Sequence, residues 1–398
     1  MGATEMFFVD GELSAQITEL AQFIGALKQV GDADKFAADL SASSDPVQAL
    51  VAESQGVLAK APEDKVEAAY NQLFALAASA ESAGIDAIAK NVSEDVAAHA
   101  DSGVAGLRVL NNLYNLADSS RAQVFSSMIV LAVRTHMLAT LVPQISQLPK
   151  LLSEWSASSD EKADVVVALR NALDAEQLGN EAYEAELAFL EAVGAANAQS
   201  VAVATSAIVR FANLSAVCDI DALASLDSVQ ELSKGGKLGP AGDLLNALLT
   251  FDFKQWSQFA ADKAALLSEL GVDSDKAGDK MRLLTVASIA ADNLGQDVPF
   301  SQVSQAIAVD EEDVEMWIID VIRSGLMQGK MNQVSRTLVP TRSTYRTFGA
   351  QQWQLLAERL DQWKSSLESL QPVINNAKLV AQQQALQMAG QSRVTIKD

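Results

Sequence analysis

Residues 281–363 read MRLLTVASIAADNLGQDVPFSQVSQAIAVDEEDVEMWIIDVIRSGLMQGKMNQVSRTLVPTRSTYRTFGAQQWQLLAERLDQW. Apolar side chains recur in steps of three and four in three successive parts of this stretch, which predicts helices over 283–290, 301–307 and 310–324. Alternating runs on either side of Asn332 then predict a hairpin over 326–339. Pro340 lacks an N–H for a strand ladder and is predicted to end the second strand.

Three helices followed by a two-stranded ribbon form the order of a winged helix. The third helix would lie in the major groove if the domain read DNA. Here that helix is predicted to open with four consecutive acids, residues 310–313, and to carry Glu315 and Asp320 against Arg323 alone. Because a phosphate backbone repels such a helix, the sequence predicts a winged helix that does not read a DNA groove.

The chain upstream of this stretch, over residues 13–270, reads as successive amphipathic helices with short breaks. Leu13 and Ile17 show the helical spacing at its start, and Ser158 with Glu161 has the spacing of a capping box. Many short helices joined by short loops favour a solenoid-like arm of stacked helix pairs. An irregular helical bundle is the alternative.

The chain downstream carries the clearest periodicity. Alternating steps of three and four define a heptad seam, whose members are Trp353, Leu356, Leu360, Trp363, Leu367 and Leu370. Pro372 is predicted to break or restart this helix. The seam has two interpretations. It packs against the chain's own winged helix, or it forms a partner surface, which is favoured beyond Glu368 where less of the chain remains to cover it.

Composition restricts the function classes. The 398 residues are 49% hydrophobic with a formal net charge of −22, which opposes binding to nucleic acid or to an anionic membrane. Cys218 is the single cysteine, which suits a cytoplasmic protein. The first ten residues contain no long apolar run, so we expect no secretory signal. Residues 192–209 form the longest uncharged stretch but are too polar to span a membrane.

Residue patterns that carry catalysis are missing from the sequence. His99, His136 and Cys218 cannot supply the four ligands of a structural zinc site. Residues 235–239 contain glycines and a lysine without the spacing of a phosphate-binding loop. We therefore predict a protein that is not an enzyme and has no metal and no cofactor.

Weak RNA binding through the ribbon is a second hypothesis. Lys330, Arg336 and Arg342 lie along the ribbon and just beyond it, where they could contact RNA phosphates. The alternative is that these cations balance the acidic body of the chain or contact an acidic face of another protein. We favour this alternative, because the charges are few and aromatic residues are not interleaved with them.

Four runs of residues resemble a known family. They are KMRLLT at 280–285, DVE at 313–315 with Ile319 and Asp320, STYRTFGAQQW at 343–353, and LRVLNNLYN at 107–115. With the order of helices, winged helix and terminal helix, these runs resemble the PCI domains of the proteasome lid, the COP9 signalosome and eukaryotic translation initiation factor 3. They are most similar to the subunit M family of the initiation factor. Signalosome subunit 7 is the nearest competing resemblance.

The resemblance implies a mostly α-helical chain. A helical-repeat arm would occupy residues 1–275, a winged helix 276–346, and C-terminal helices 347–398. It implies a non-catalytic scaffold that contacts other PCI and MPN subunits and, through the complex, supports loading of the small ribosomal subunit and mRNA. PCI winged helices of such complexes join at sheet edges, and their terminal helices gather in a bundle.

The ribbon and the seam are accordingly the predicted partner-binding surfaces. The candidate residues are Met327, Met331, Leu338, Trp353, Leu356, Leu360, Trp363, Leu367 and Leu370.

Overall fold

The computed structural model describes residues 12–43, 45–79, 84–193, 198–347 and 349–392. Residues up to Thr344 form one compact unit, and residues from Tyr345 form a second. The outer bounds of the predicted arm and of the predicted C-terminal helices, residues 1 and 398, lie outside the described residues. The division at 275/276 between arm and winged helix stays a prediction.

The described residues form 21 α-helices, two short 3-10 turns and one sheet. The helices are α1 Leu13–Leu27, α2 Ala33–Ser41, α3 Pro46–Ser54, α4 Glu63–Ser79, α5 Ile85–His99, α6 Gly103–Leu116, α7 Arg121–Arg134, α8 Val142–Ile145, α9 Leu148–Glu154, α10 Ser159–Ala175, α11 Gly179–Val193, α12 Ala198–Asn213, α13 Asp221–Ala224, α14 Asp227–Lys234, α15 Pro240–Thr250, α16 Phe253–Asp262, α17 Ala264–Leu270, α18 Ser274–Asp292, α19 Phe300–Ile307, α20 Val314–Arg323 and α21 Ala350–Ser392. The strands are β1 Val298–Pro299, β2 Met327–Asn332 and β3 Thr337–Ser343.

The arm is built from helices that pack on near neighbours in sequence. Helix α4 packs on α6, α5 on α7, α7 on α10, α10 on α11, and α11 on α12. Contacts that advance along the chain in this way are typical of a solenoid-like stack, as predicted. The predicted capping box at Ser158 and Glu161 is confirmed, since each side chain bonds the other's backbone N–H.

A charged cluster joins three helices inside the arm. Glu186 on α11 is fully buried, and its carboxylate accepts from Ser206 Oγ at 2.6 Å and from Arg210 Nε at 3.2 Å. Arg170 on α10 lies 3.6 Å from the same carboxylate, and Arg210 also donates to Asp174 at 2.8 Å. Burial raises the pKa of Glu186 against the opposing effects of Ser206 and the two arginines. The cluster supplies the partners that a buried charge requires.

The arm and the winged helix share one continuous apolar core. The first winged-helix segment, α18, packs on α12 and α16 of the arm and also on α19, α20 and β3. Lys280 of α18 is 1% exposed, and its Nζ donates to the carbonyls of Phe211 and Val217 at the end of α12. A buried amine with two carbonyl partners therefore joins the winged helix to the arm.

The sheet contains three strands in the order β1–β3–β2, one more than the predicted ribbon. Val298 pairs with Leu338, so residues 298–299, which were not predicted as a strand, add an edge strand. The prediction that Pro340 ends the second strand is wrong. Pro340 lies within β3 opposite Gly329, next to a register irregularity between Gln328 and Gly329. A bulge tolerates the missing N–H, and the Pro340 carbonyl still accepts from the Gly295 N–H at 2.8 Å.

The second unit consists mainly of the helix α21, which is continuous over 43 residues. The prediction of a break at Pro372 is wrong, because Pro372 lies inside this helix. A proline removes one intrahelical hydrogen bond and bends the helix, while residues on both sides keep their own hydrogen bonds. The predicted C-terminal helices are thus one helix over the residues that the structure describes.

Candidate functional site

The first helix of the winged helix is fixed by side chains of the KMRLLT run. Thr285 Oγ1 donates to the Met281 carbonyl at 2.7 Å and accepts from the Phe253 N–H at 3.1 Å. The guanidinium carbon of Arg282 lies 4.4 Å from the Phe253 ring centroid and 5.3 Å from that of Trp317. These contacts join α18 to α16 and to α20, so the run serves packing rather than a reaction.

The acidic run at residues 310–313 lies in the turn before α20, not in its first turn as predicted. Helix α20 begins at Val314 because Val314, Ile318 and Val321 supply its buried face. Within α20 the acids are Glu315 and Asp320. A negatively charged turn and helix still present a surface that repels phosphate.

The hairpin turn is held against this acidic segment. Arg336 Nη1 donates to Glu311 Oε2 at 3.0 Å, and Gln333 Nε2 donates to Glu315 Oε1 at 2.6 Å. Arg336 therefore balances a neighbouring acid, in agreement with the alternative favoured from the sequence. Glu311 and Glu315 were not predicted as partners of the turn. Their charge is opposite to that of Arg336, but opposite charge alone does not show which residues of different segments lie close together.

Lys330 and Arg342 are both exposed on the ribbon. Lys330 pairs in register with Val339 on β3, and Arg342 pairs with Gln328 on β2. Arg336 lies in the turn between these strands, where it is paired with Glu311. RNA contact through the three cations stays a prediction.

The partner candidates on the ribbon differ in exposure. Met327 and Leu338 are 1% and 0% exposed, so they belong to the protein's own core, where β2 packs on α20 and β3 on α18. This corrects the expectation of an apolar ribbon surface at these two positions, because one face of the hairpin covers the helices. Met331 is half-buried and packs at the edge of the same core.

The backbone edge of β2 remains as a surface feature. In the order β1–β3–β2 the central strand is β3, and β2 pairs with it on one side. Among the described residues no strand pairs with the other side of β2. The free N–H and C=O groups of an edge strand can add a further strand from another chain.

The seam residues of α21 are exposed along the whole seam. Leu360, Trp363 and Leu367 have exposed fractions of 56%, 72% and 63%, and Trp353, Leu356 and Leu370 are also exposed. The prediction missed further exposed apolar residues of α21, which are Leu355, Val373, Leu379 and Val380. The signal that could have identified Val373 and Val380 is their position beside the seam in the continued heptad. The exposed apolar stripe therefore extends past Pro372.

No group of three or more His, Cys, Asp or Glu residues is arranged to hold a metal ion in the part of the chain that the structure describes. Over the same residues, no helix combines the length and apolar character needed to cross a bilayer. Cys218, buried near Lys280, is a free thiol whose pKa is raised by burial.

Comparisons with known proteins match the same two regions. Residues 264–342 match the model of the PCI domain, and residues 346–374 match the model described as eIF3 subunit M, C-terminal helix. The first match covers the end of the arm, the winged helix and the sheet. The second covers the whole seam from Trp353 to Leu370.

Relatives match over nearly the full chain. A protein of Phaeosphaeria nodorum named eukaryotic translation initiation factor 3 subunit M is 29% identical, over 95% of this chain and 90% of the relative. Proteins with the same name from Schizosaccharomyces pombe and Chaetomium globosum are 29% and 26% identical, over 94% and 93% of this chain and 93% and 88% of those relatives. Residues 264–342 are therefore similar to PCI domains, and nearly the whole chain is similar to proteins named subunit M of eukaryotic translation initiation factor 3.

Proposed function

We propose that the chain is a non-catalytic scaffold subunit of eukaryotic translation initiation factor 3. The observation that carries this proposal is the near full-length similarity to proteins named as its subunit M, which includes the model of their C-terminal helix. In this role the chain contacts neighbouring PCI and MPN subunits. Through the complex, it supports assembly of the small ribosomal subunit with mRNA in the cytoplasm.

Helix α21 supplies the first contact surface. An exposed stripe of leucine, tryptophan, valine and isoleucine side chains along α21 is unfavourable in water, at about 25 cal/mol per Å² of apolar area. Helices from other subunits that pack along the stripe would remove this area from water. The regular spacing of three and four residues matches the packing of one helix against another.

The sheet edge supplies the second contact surface. A strand or sheet edge from a neighbouring subunit can hydrogen-bond to the outer side of β2, with affinity that comes largely from main-chain groups. Met331 beside this edge adds a half-buried apolar contact. This arrangement requires neither DNA nor a cofactor.

Affinity purification of the tagged full chain from cytoplasm tests the proposal. We expect subunits of translation initiation factor 3 to be recovered and identified by mass. Recovery of signalosome or proteasome-lid subunits without initiation-factor subunits would overturn it.

A truncation separates the two surfaces. A chain that ends after residue 349 lacks α21 but keeps the compact unit up to Thr344 intact. A chain that ends after Gln371 keeps the whole seam and loses only the exposed apolar residues beyond it, such as Val373 and Ile374. We expect recovery of the complex to fall in the order full chain, residues 1–371, residues 1–349.

A further inference from the structure

The charged side chains of α21 are sorted by face. The seam residues, and Ile374 after them, occupy positions a and d of the heptad, in which Leu360 is at a and Trp363 at d. In this register all three cations of the helix lie at the positions that flank the seam. Arg359 is at g, and Lys364 and Lys378 are at e.

The three acids of the helix lie away from the seam. Glu358 is at the outermost position f, and Asp361 and Glu368 are at b. All six charged residues of α21 are exposed. In a chain with a formal net charge of −22, the border of this apolar stripe is thus locally positive.

A hollow of about 690 Å³ lies along the seam. It is lined by Leu360, Leu367 and Ile374 together with the charged residues Lys364, Glu368 and Lys378. Pro372 is at position f, opposite the seam. Because a proline bends a helix away from its own side, its position agrees with a hollow on the seam side.

We propose that the seam of α21 binds an amphipathic helix of another subunit whose own flanking positions carry Glu or Asp. This inference rests on the scaffold function proposed above and specifies the chemistry of the partner. Positions e and g of paired helices face one another, so cations there select acids on the partner. The exposed leucines and Trp363 supply contact area, and the charges select the partner.

The same pattern opposes pairing of two copies of this chain. In a parallel pair, Arg359 at g of one copy faces Lys364 at e of the other, and symmetry repeats the contact. Since every charged flanking position is cationic, an antiparallel pair also brings no attractive flanking contact. Like-charge contacts of this kind favour a different partner over a second copy.

Two variants of the full chain with equal charge change test the role of the flanking cations. The flank variant carries Arg359→Gln, Lys364→Gln and Lys378→Gln. The outer-face variant carries Gln354→Glu, Gln362→Glu and Asn376→Asp at positions b and c. Each variant lowers the net charge by three, so an effect of net charge alone would change peptide binding equally in both. Circular dichroism is the control that checks whether each variant keeps its helix content.

The probes are two synthetic amphipathic peptides with the same Leu and Ile residues at a and d, one with Glu at every e and g position and one with Lys. Fluorescence anisotropy gives their affinities at about 0.1 M and about 1 M salt, where the screening length is about 10 Å and about 3 Å. We expect the Glu peptide to bind about tenfold more tightly at the lower salt, as summed weak surface pairs predict. The flank variant should lose this preference, and the outer-face variant should keep it.

Three results would overturn the proposal. The first is equal or tighter binding of the Lys peptide. The second is tighter binding of an oligouridylate than of the Glu peptide, with the same dependence on the three cations, which would indicate an RNA site. The third is self-association of the wild-type chain that is lost in the seam variant Leu360→Asp/Leu367→Asp.

Purification of the two variants from cells distinguishes this proposal from the scaffold function. If the flank variant recovers initiation-factor subunits as fully as the outer-face variant, the charge proposal fails and the scaffold function stands. If even the wild-type chain recovers none, the scaffold function fails, and the peptide preference decides the charge proposal by itself.

Discussion

The side-chain nitrogen of Lys280 lies 3.7 Å from the centroid of the Phe211 ring. The same nitrogen donates to the Phe211 carbonyl, and it donates to the Val217 carbonyl at 2.7 Å. Lys280 belongs to α18, whereas Phe211 belongs to α12 of the arm. Burial lowers the pKa of Lys280 to about 7, and Cys218 opposes this effect. A neutral amine has two N–H groups, which is enough for both carbonyls.

Replacement of Lys280 by Met should make the stability difference between wild type and variant depend on pH. Between the folded pKa of about 7 and the unfolded value of about 10.4, the unfolded chain holds a proton on Lys280 that the folded chain has released. The wild type should therefore gain stability relative to Lys280→Met as pH rises through this window, by up to about 1.4 kcal/mol per pH unit. Urea unfolding at three pH values from 7 to 9 measures the slope. A constant difference would show that the amine keeps its proton when buried.

Replacement of Arg282 by Ala should destabilise the winged helix. The guanidinium packs on Phe253 and Trp317 and bonds to Asp279 at 2.7 Å. Loss of these contacts should lower the free energy of unfolding by about 1–2 kcal/mol. Arg323→Ala is the control. Arg323 is exposed, and its ion pair with Asp320 is long at 3.6 Å, so its replacement should change the free energy of unfolding by less than about 0.5 kcal/mol. Equal effects of the two variants in urea unfolding would contradict this account.

Replacement of Arg210 by Ala should be among the more damaging changes in the arm. It removes the donor at 3.2 Å from the fully buried Glu186 carboxylate and leaves that charge with Arg170 and Ser206 alone. We expect a loss of about 3–5 kcal/mol in the free energy of unfolding.

The double variant Glu186→Gln/Arg210→Ala should recover part of this loss, because it removes the buried charge as well. A double-mutant cycle by urea unfolding measures the coupling, which should exceed about 1 kcal/mol. Additive effects of the two changes would show that the carboxylate does not depend on Arg210.

Replacement of Leu360 and Leu367 by Asp should separate assembly from stability. Both leucines are more than half exposed, so the free energy of unfolding should change by less than about 1 kcal/mol. Recovery of initiation-factor subunits on the tagged chain should fall at least about tenfold. The matched control is Ser365→Asp with Ser369→Asp on the outer side of the same helix. If both pairs reduce recovery equally, the seam is not the contact surface.

The order of elements could be predicted from the sequence because apolar spacing alone determines which side chains a helix can bury. Val314, Ile318 and Val321 are buried in α20 as their spacing required. Gly325 adopts a φ of 77°, as a glycine that follows a helix should. Local spacing and local backbone preference were enough at these positions.

Both prolines were predicted wrongly for the same reason. Each proline was expected to end its strand or helix because it lacks an N–H. The surrounding hydrogen bonds decide whether the strand or helix tolerates the loss of that N–H. At Pro340 the register irregularity opposite Gly329 accommodates it, and at Pro372 the hydrogen bonds of a long helix do so.

Long-range contacts were beyond sequence reasoning. The pairing of Val298 with Leu338 joins segments 40 residues apart in sequence, and the burial of Lys280 depends on carbonyls more than 60 residues away. Two partner candidates, Met327 and Leu338, were misjudged because alternation along a strand shows that two faces differ and does not show which face is covered.

The continuity of the core across the arm and the winged helix has a consequence for how this chain unfolds. Amide hydrogens of α12 and α18 should exchange with solvent through one shared opening event, because neither helix can leave the other without exposing Lys280 and its carbonyl partners. A damaged winged helix would then release the arm as well. Quality-control proteases would therefore act on a chain that is either fully folded, with its sheet edge in place, or unfolded in both the arm and the winged helix.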